Sequence, residues 1–506
     1  MPMRRLLNLP LLVILMGIAT AAMLVPAGYA FAHRDYPVGR AFAYATLIFS
    51  ILTGVIALAT ANRQPRDARH SHLKALVGAY LVLPLMLAVP LNEAVRDTSF
   101  VNAWFEMLSS FTTTGATVYE MPGRLSDALH LWRALVGWLG GFFILLMGVA
   151  VLLPMNLGGM EVLAGRGTPG AGAPQITRIA DPSQRVTRFA VQLFPVYAAF
   201  TLALWIGLVM LGESGFRGLC LAMATISTSG ILPGGTAAVT GAGIPGEILI
   251  ALFLLPAITR RAYPAGPGLA ERARSFPHDP ELRMAAAIVM AVTGVLFLRH
   301  WVGAIENAEG QNLVSFLRVL WGTAFTTLSF LTTTGLPSSQ WAAAQLWSGL
   351  ETHGLILLGL AMIGGGVATT AGGVKLLRVY ALFRHGQREM ERLIHPHSIG
   401  GQGPVARRLR GEGARLAWVF FMLFAVSIAV IVAALTLTGQ GFDQSLILAI
   451  SALSTTGPIA SFAGESPVLF SALGTPAKLV LGFAMVLGRV EALALLALLA
   501  PEQWRK

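Results

Sequence analysis

The 506-residue chain has little charge and almost no cysteine. Only 12% of its residues are Asp, Glu, Lys or Arg, about half the share of an average soluble domain, whereas 55% are hydrophobic. A soluble core could not enclose this much apolar surface, and a disordered chain would be polar and charged. The single Cys excludes a disulfide scaffold and any multi-thiolate metal site. The composition therefore predicts a polytopic helical membrane protein.

The formal net charge of +12 would suit a nucleic-acid-binding protein. In a chain this hydrophobic it instead indicates cytoplasmic loops rich in Lys and Arg, so we expect no nucleic acid partner. Most of the 36 basic residues fall in alternate connections between apolar runs, beginning with Arg4 and Arg5 and closing with Arg505 and Lys506. The positive-inside rule places these connections in the cytoplasm, together with both termini.

Long apolar runs mark the candidate membrane spans, because a helix that crosses a bilayer needs roughly 20 apolar residues. The runs fall at 8–31, 40–61, 75–92, 131–154, 187–211, 245–259, 284–303, 346–382, 414–437 and 473–500. The first run also fits a signal peptide, with Arg4 and Arg5 before it and Ala30-Phe31-Ala32 at its end. It is long for a signal core, and we favour a retained span.

One short pattern of hydroxyl residues and glycine occurs four times. Three hydroxyl residues in succession precede each of Gly115, Gly230, Gly335 and Gly457. They are Thr112, Thr113 and Thr114; Ser227, Thr228 and Ser229; Thr332, Thr333 and Thr334; and Ser454, Thr455 and Thr456. We name residues 112–115, 227–230, 332–335 and 454–457 the hydroxyl–glycine segments.

Each segment lies in an equivalent place relative to the apolar runs. It follows an outward-going span and about 15 residues that are too few to cross the bilayer, and an inward-going span comes next. The predicted fold class is an all-α polytopic membrane protein with four pseudo-symmetric helix–pore-loop–helix repeats around one pore, plus two extra N-terminal transmembrane helices. The predicted boundaries are 1–68 for the extra helices, then 69–160, 161–270, 271–400 and 401–506 for the repeats.

The repeated segments predict a cation pathway. Non-helical backbone at membrane depth is stable only where it lines a watery cavity or is buried in protein, so four such segments predict a ring around one axis. Glycine lets successive carbonyls point the same way, and a ring of carbonyls can replace the hydration shell of a cation. The predicted ion-binding residues are Thr113, Thr114, Gly115, Thr228, Ser229, Gly230, Thr333, Thr334, Gly335, Thr455, Thr456 and Gly457.

The chain resembles the Trk-type potassium uptake proteins of the Trk/Ktr/HKT superfamily over nearly its whole length. The four segments carry this resemblance, with MIGGGVATTAGGVKLLRVY at 362–380, RLIHPHSI at 392–399 and FAMVLGRVEALALLALLAPEQWR at 483–505. The two extra spans favour the TrkH branch over KtrB. The ISTSGILPGG stretch departs from the pattern usual in the family, which predicts altered geometry in the second segment.

The resemblance implies several properties beyond the fold. It implies selectivity for potassium as the transported ion, because glycine occupies all four filter positions, and no organic cofactor on this chain. It also implies a place in the bacterial inner membrane. A homodimer and a separate cytosolic nucleotide-binding ring, similar to TrkA, are the partners that it implies.

A glycine-rich stretch predicts a break in the run at 346–382. A continuous helix over about 346–385 would be roughly 60 Å long, about twice the thickness of the hydrocarbon core. Glycine disfavours helix at five positions, namely Gly364, Gly365, Gly366, Gly372 and Gly373. The resemblance implies an intramembrane loop here that obstructs the pore, with close helix packing through small residues as the alternative.

Two basic residues extend the predicted gate. Arg489 lies deep in the last apolar run, where a charge is costly and indicates function. The resemblance implies that it faces the loop and repels or blocks cations. A structural pairing with Glu491 or a carbonyl is the alternative, although residues two apart on a helix do not face each other. Lys375 is assigned to the gate or to the membrane boundary.

The sequence supports two other functional hypotheses less well. A membrane enzyme needs positioned acids, bases or nucleophiles, and the repeats carry none of these beyond hydroxyls. A proton- or sodium-coupled symporter stays open, although inverted repeats are disfavoured because the four units share one orientation. Glu106, Arg217, Arg318 and Asp443 lie in or beside the short helices and are assigned either to the outer mouth or to ion pairs.

Overall fold

A computed structural model describes most of the chain. The described residues are 9–61, 68–153, 159, 182–234, 241–263, 276–306, 313–341, 354–395, 413–464 and 466–491. Within these ranges every regular element is a helix. This agrees with the predicted all-α class, because a helix satisfies its backbone hydrogen bonds internally, as the bilayer requires.

The helices follow the order expected from the apolar runs. The first part contains α1 (Leu11–Ala22), α2 (Leu24–Ala32), α3 (Tyr36–Thr60), α4 (Ala68–Ala94), α5 (Phe100–Phe111) and α6 (Asp127–Met147). The middle contains α7 (Pro182–Met210), α8 (Gly215–Ser227), α9 (Gly243–Phe253), α10 (Leu255–Ile258), α11 (Pro280–Glu306) and α12 (Leu313–Leu331). The last part contains α13 (Gly354–Ile363), α14 (Leu376–Ile394), α15 (Ala414–Leu437), α16 (Phe442–Leu453) and α17 (Thr475–Val490).

Seven helical stretches among the described residues are long and apolar enough to cross a membrane. They are Leu11–Ala32, Tyr36–Thr60, His72–Ala94, Asp127–Leu152, Arg185–Met210, Pro280–Leu298 and Ala414–Leu437. Each corresponds to a predicted span. The three remaining runs contain shorter helices: α9 with α10, then α13, and finally α17. Parts of two of these runs, 346–353 and 492–500, lie outside the described residues.

Burial separates central from peripheral helices. The apolar window of Asp127–Leu152 is 83% buried within the protein, whereas that of Tyr36–Thr60 is 22% buried. The exposed side of α3 carries large apolar side chains such as Leu47, Ile51 and Leu58. Apolar surface of this kind matches lipid tails, so α3 lies at the periphery and α6 near the centre.

Four helices, α5, α8, α12 and α16, lead directly into the hydroxyl–glycine segments and are called the short helices below. Three of them have 12 or 13 residues; α12 has 19, of which Phe316–Leu331 is the apolar part. A helix of 12 residues, the length of α5, spans about 18 Å and cannot cross a hydrocarbon core of about 30 Å. Equivalent inner helices pack against the ends of two of them. A Cβ on Gly140 of α6 would collide with the Phe111 carbonyl, and one on Gly488 of α17 with the Leu453 carbonyl. The first and last repeats therefore share one packing arrangement.

Candidate functional site

All four short helices end in the same backbone turn. The middle hydroxyl residue of each segment is left-handed, with φ of 55° at Thr113, 53° at Thr228, 58° at Thr333 and 54° at Thr455. Its N–H donates to the carbonyl three residues earlier at 2.9 to 3.2 Å. The next N–H donates to the carbonyl five residues earlier at 2.8 to 3.0 Å. This is the Schellman motif, in which the left-handed position usually holds glycine.

Threonine is an unusual residue for this position. A β-branched side chain with positive φ is a true outlier, and a conformation of this kind costs about 1–3 kcal/mol at each residue. The surrounding contacts must therefore impose it, and strained residues of this kind cluster at functional sites. Sequence analysis identified these four threonines but not their conformation, because threonine propensities favour extended backbone.

The structure brings the four segments together in a ring. A Cβ built on Gly115 would collide with the carbonyl oxygen of Ser229, and one on Gly230 with that of Thr334. A Cβ on Gly457 would lie 2.6 Å from the carbonyl carbon of Gly115. The Cβ position of Gly335 is 3.1 Å from the ring of Pro458, which directly follows the fourth segment and also lies 3.1 Å from the Cβ position of Gly230 and 3.5 Å from that of Gly115. Each segment thus touches the next, and the fourth touches the first.

The irregular segment is the fourth, not the second. Gly115, Gly230 and Gly335 have φ of 75°, 63° and 73°, so the second segment follows the common pattern. Gly457 does not have a positive φ, and it begins a 3-10 turn over Gly457–Ser461. Its N–H donates to the Thr114 carbonyl at 2.5 Å. The expectation for the second segment was therefore wrong. The segment that departs is the fourth, which Pro458 follows directly; the fixed φ of proline suits the first turn of a helix, so the chain enters the 3-10 turn there.

The hydroxyl side chains are buried and bond to one another within three of the segments. The first and third hydroxyls are 2.8 Å apart in Thr112–Thr114, 3.0 Å in Ser227–Ser229 and 3.1 Å in Thr332–Thr334. In the fourth segment the Thr456 hydroxyl donates instead to the Ser454 carbonyl at 3.3 Å. These bonds fix the side chains without adding a fixed charge near the ring.

Buried carboxylates brace the chain just beyond two of the segments. Glu106 accepts from Arg133 Nε at 2.6 Å and from the Val118 N–H at 3.0 Å. For Glu106 the ion-pair alternative is therefore the one observed. Glu247 accepts from the Ser338 hydroxyl and the Ser339 N–H, both at 2.7 Å. Glu247 was not predicted from the sequence, where the available signal was a lone carboxylate at the edge of an apolar run.

Replacing Glu106 with Ala is expected to destabilise the protein by about 3–5 kcal/mol, because it leaves Arg133 buried and unpaired. Thermal unfolding of the purified protein in detergent measures this loss. Asp97→Ala is the matched control, since it breaks a 2.8 Å pair with Arg124 that is exposed to solvent and contributes about 0–1 kcal/mol. Equal shifts in the two variants would contradict the bracing role.

The glycine-rich loop, residues 364–375, interrupts the helix as predicted. Helix α13 ends at Ile363 and α14 begins at Leu376. The loop folds back on its own start, because the Val374 N–H donates to the Met362 carbonyl and the Lys375 N–H to the Ile363 carbonyl, both at 2.9 Å. A Cβ on Gly364 would collide with the Gly372 carbonyl, so the two ends of the loop approach through glycine.

The loop is docked on surrounding helices rather than free. The Gly366 N–H donates to the Ala257 carbonyl at 2.9 Å, and the Thr369 hydroxyl donates to the same oxygen at 3.0 Å. The Val367 N–H donates to the Glu281 carboxylate at 2.8 Å. The loop therefore lies between the end of α10 and the start of α11.

The same loop also contacts the hydroxyl–glycine segments. The Gly372 N–H donates to the Thr333 hydroxyl at 2.8 Å. A Cβ on Gly372 would collide with the Thr455 hydroxyl and the Ser454 carbonyl. The Thr370 hydroxyl donates to the Ile226 carbonyl at 3.3 Å. The loop thus contacts the ends of three of the short helices.

Arg489 joins the loop to the ring. Its Nη2 donates to the Thr113 hydroxyl at 2.7 Å and to the Thr370 carbonyl at 2.6 Å, and the residue is buried. Glu491 pairs instead with Arg378 of α14 at 2.7 Å, so of the two structural alternatives the Arg489–Glu491 pair is absent and the pairing with a carbonyl, that of Thr370, is present. Lys375 is also buried and donates to the Ala371 carbonyl, within the loop itself.

These features define a class of protein: a helical membrane protein with four repeated segments in a ring and a docked loop beside them. Residues 250–505 match the TrkH family, described as a cation transport protein, and the chain belongs to this family. The family is one of cation transporters and not of membrane enzymes.

Relatives cover nearly the full chain. The Trk system potassium uptake protein TrkH of Escherichia coli (strain K12) is 26% identical, and the alignment covers 98% of each chain. The protein of the same name from Vibrio parahaemolyticus serotype O3:K6 is 27% identical over 97% of this chain and 98% of its own length. The crystal structure of the potassium transporter TrkH from Vibrio parahaemolyticus has the same fold, with a TM-score of 0.81, 24% identity and complete coverage of both chains.

Proposed function

We propose that this protein takes up potassium ions across the bacterial inner membrane, through a selectivity filter formed by the four hydroxyl–glycine segments. The observation that carries the proposal is the ring of contacts that joins Gly115, Gly230, Gly335 and Gly457 to their neighbours. Full-length relatives named as potassium uptake proteins support potassium as the ion. The membrane potential would drive entry by about 2.3 kcal/mol per charge per 100 mV.

The filter chemistry follows from the residues in the ring. Backbone carbonyls can replace the water around a potassium ion, and buried hydroxyls keep the segment polar without a charge that would trap the ion. The short helices end at the ring, so the partial negative charge of their C-termini favours a cation there. We propose that potassium binds at the twelve residues predicted from the sequence. They are the second hydroxyl residue, the third hydroxyl residue and the glycine of each segment.

The glycine-rich loop and Arg489 form the proposed gate. The loop touches three short helices and Arg489 touches Thr113. In the proposed orientation, these contacts lie at the cytoplasmic end of the filter. A guanidinium about 4 Å from a potassium ion would repel it by about 4 kcal/mol at an effective dielectric constant of 20. A closed gate of this kind combines a steric obstacle with an electrostatic one.

Helix α14 is the proposed link to a regulator. It starts directly after the loop, and its far end exposes Leu393 and Ile394 together with the basic residue Arg392. A cytosolic nucleotide-binding ring that moved α14 would pull on the loop. This partner, a homodimeric assembly and cytoplasmic termini belong to the proposal, with the distribution of basic residues as support for the orientation.

Ion flux into vesicles tests the function. Purified protein in lipid vesicles is expected to pass potassium and rubidium far faster than sodium or lithium, driven by an imposed membrane potential alone. Equal flux of all four ions would contradict a potassium-selective filter. A strict requirement for a proton or sodium gradient would instead identify a coupled symporter.

A further inference from the structure

The left-handed threonines are equivalent in backbone but differ in what their hydroxyls contact. Thr113 accepts from Arg489 Nη2 at 2.7 Å and Thr333 accepts from the Gly372 N–H at 2.8 Å. The Thr455 hydroxyl lies against Gly372. The Thr228 hydroxyl donates to the carbonyl of its own neighbour, Ser227, at 2.7 Å, and no hydrogen bond joins it to the loop or Arg489 within the described part of the chain.

We propose that Thr113 and Thr333 hold the gate closed, with their hydroxyls as the docking points on the filter for Arg489 and the glycine-rich loop. This inference rests on the proposed function, since it assigns a second role to two filter residues. Each threonine would contribute its backbone to the filter and its side chain to the gate. The middle hydroxyls of the first, third and fourth segments contact the gate, whereas the middle hydroxyl of the second segment, that of Thr228, does not.

The buried setting makes these two hydrogen bonds consequential. Thr113, Thr333 and Arg489 are each at most 4% exposed. A buried donor that loses its acceptor keeps its desolvation penalty, which is largest for a charged group such as the guanidinium. Removing either hydroxyl therefore destabilises the closed arrangement: without the Thr333 hydroxyl the Gly372 N–H loses its acceptor, and without the Thr113 hydroxyl Arg489 Nη2 keeps, of its two described acceptors, only the Thr370 carbonyl. The effect on the open arrangement is smaller, because the gate has left the filter there.

The left-handed backbone couples the filter to the gate. Thr113 and Thr333 have φ of 55° and 58°, and in this conformation their hydroxyls contact Arg489 and the loop. Thr228 shares the conformation at 53° without such a contact among the described residues, so the left-handed backbone permits the contact and the neighbouring gate residues complete it. A segment that relaxed to negative φ would move its hydroxyl and break the contact. Gate closure and the strained filter conformation therefore stabilise each other, which is the reciprocity required of any two coupled sites.

Single-channel recording of Val variants in lipid bilayers tests the inference. Valine matches threonine in shape and β-branching but lacks the hydroxyl. Thr333→Val and Thr113→Val are each expected to raise the ratio of open to closed time about tenfold or more in the absence of any regulator, as expected for loss of a buried hydrogen bond. Thr333→Ser, which restores a hydroxyl, is expected to return the ratio towards that of the unaltered protein.

Thr228→Val is the matched control, because it makes the same change at the equivalent filter position. It is expected to alter unitary conductance and ion selectivity as much as Thr333→Val does, without raising the open-to-closed ratio. An equal rise in all three Val variants, or in none, would overturn the inference. Absence of any potassium current from the unaltered protein and from every variant would instead refute the proposed function, so the two failures are distinguishable.

A double-variant cycle identifies the partner of Thr113. If its hydroxyl acts through Arg489, adding Thr113→Val to Arg489→Gln should change the open-to-closed ratio far less than Thr113→Val alone, because contacting residues are not additive. Thr333→Val, whose partner is the loop, should keep most of its effect in the Arg489→Gln background. Full additivity of Thr113→Val with Arg489→Gln would overturn the assignment of this contact.

Discussion

Gly115→Ala is expected to reduce potassium flux about 100-fold. Gly115 has φ of 75°, and its Cβ would collide with the carbonyl oxygen of Ser229 in the next segment. A left-handed alanine costs roughly 1–2 kcal/mol, and overpacking against a fixed backbone costs typically 1–3 kcal/mol. A total near 3 kcal/mol lowers the population of the intact ring about 100-fold.

Rubidium uptake into vesicles measures this effect, together with the ratio of potassium to sodium flux. Gly123→Ala is the control, because a Cβ at that position meets no atom within 4 Å and Gly123 has no positive φ. The control is expected to transport at the unaltered rate. Unchanged flux and selectivity in Gly115→Ala would show that the ring does not carry the ions.

The ring itself could be predicted from sequence because its signal is redundant. Three hydroxyl residues and a glycine recur at four equivalent places between apolar runs, and no single copy would have sufficed. The break near Gly364 and Gly372 was also predictable, since glycine weakens a helix and the run exceeded the bilayer thickness. Both inferences depend on local composition, which the sequence displays directly.

Long-range contacts explain what could not be predicted. The left-handed turns at Thr113 and Thr333 contradict the preference of β-branched residues, and tertiary packing imposes them. The partner of Glu247 lies far along the chain, at Ser338 and Ser339. The distinct fourth segment has a local cause in Pro458, but the contact of Pro458 with the other glycines is long-range and leaves no pattern in the sequence.

Arg489→Gln is expected to raise basal potassium flux at least tenfold when no regulator is present. The buried guanidinium bonds to the filter residue Thr113 and to the Thr370 carbonyl of the loop, so its loss removes both a charge and a tether. Loss of a repulsion of about 4 kcal/mol would permit a change of up to about 1000-fold. Efflux of rubidium from vesicles, with and without an applied potential, measures the increase.

Lys478→Gln is the control on the same helix. Lys478 lies in the first turn of α17, where its Nζ donates to the Asn102 side chain at 2.8 Å, away from the loop. Losing this cation is expected to leave basal flux within about twofold, because Lys478 precedes Arg489 by eleven residues on the same helix, about 16 Å along its axis, and its side chain contacts Asn102. A similar rise in both variants would indicate a general effect of charge on α17 and would count against a gate at Arg489.

Arg489→Lys separates the charge from the tether. Lysine keeps the positive charge but offers a compact ammonium in place of the planar guanidinium, which here reaches Thr113 and Thr370 with one nitrogen. If electrostatic repulsion dominates the closed gate, Arg489→Lys should stay near the unaltered basal flux. If the hydrogen bonds dominate, it should leak almost as much as Arg489→Gln. The two contacts at 2.6 and 2.7 Å hold the loop against the filter, and we therefore expect the lysine variant to fall closer to Arg489→Gln.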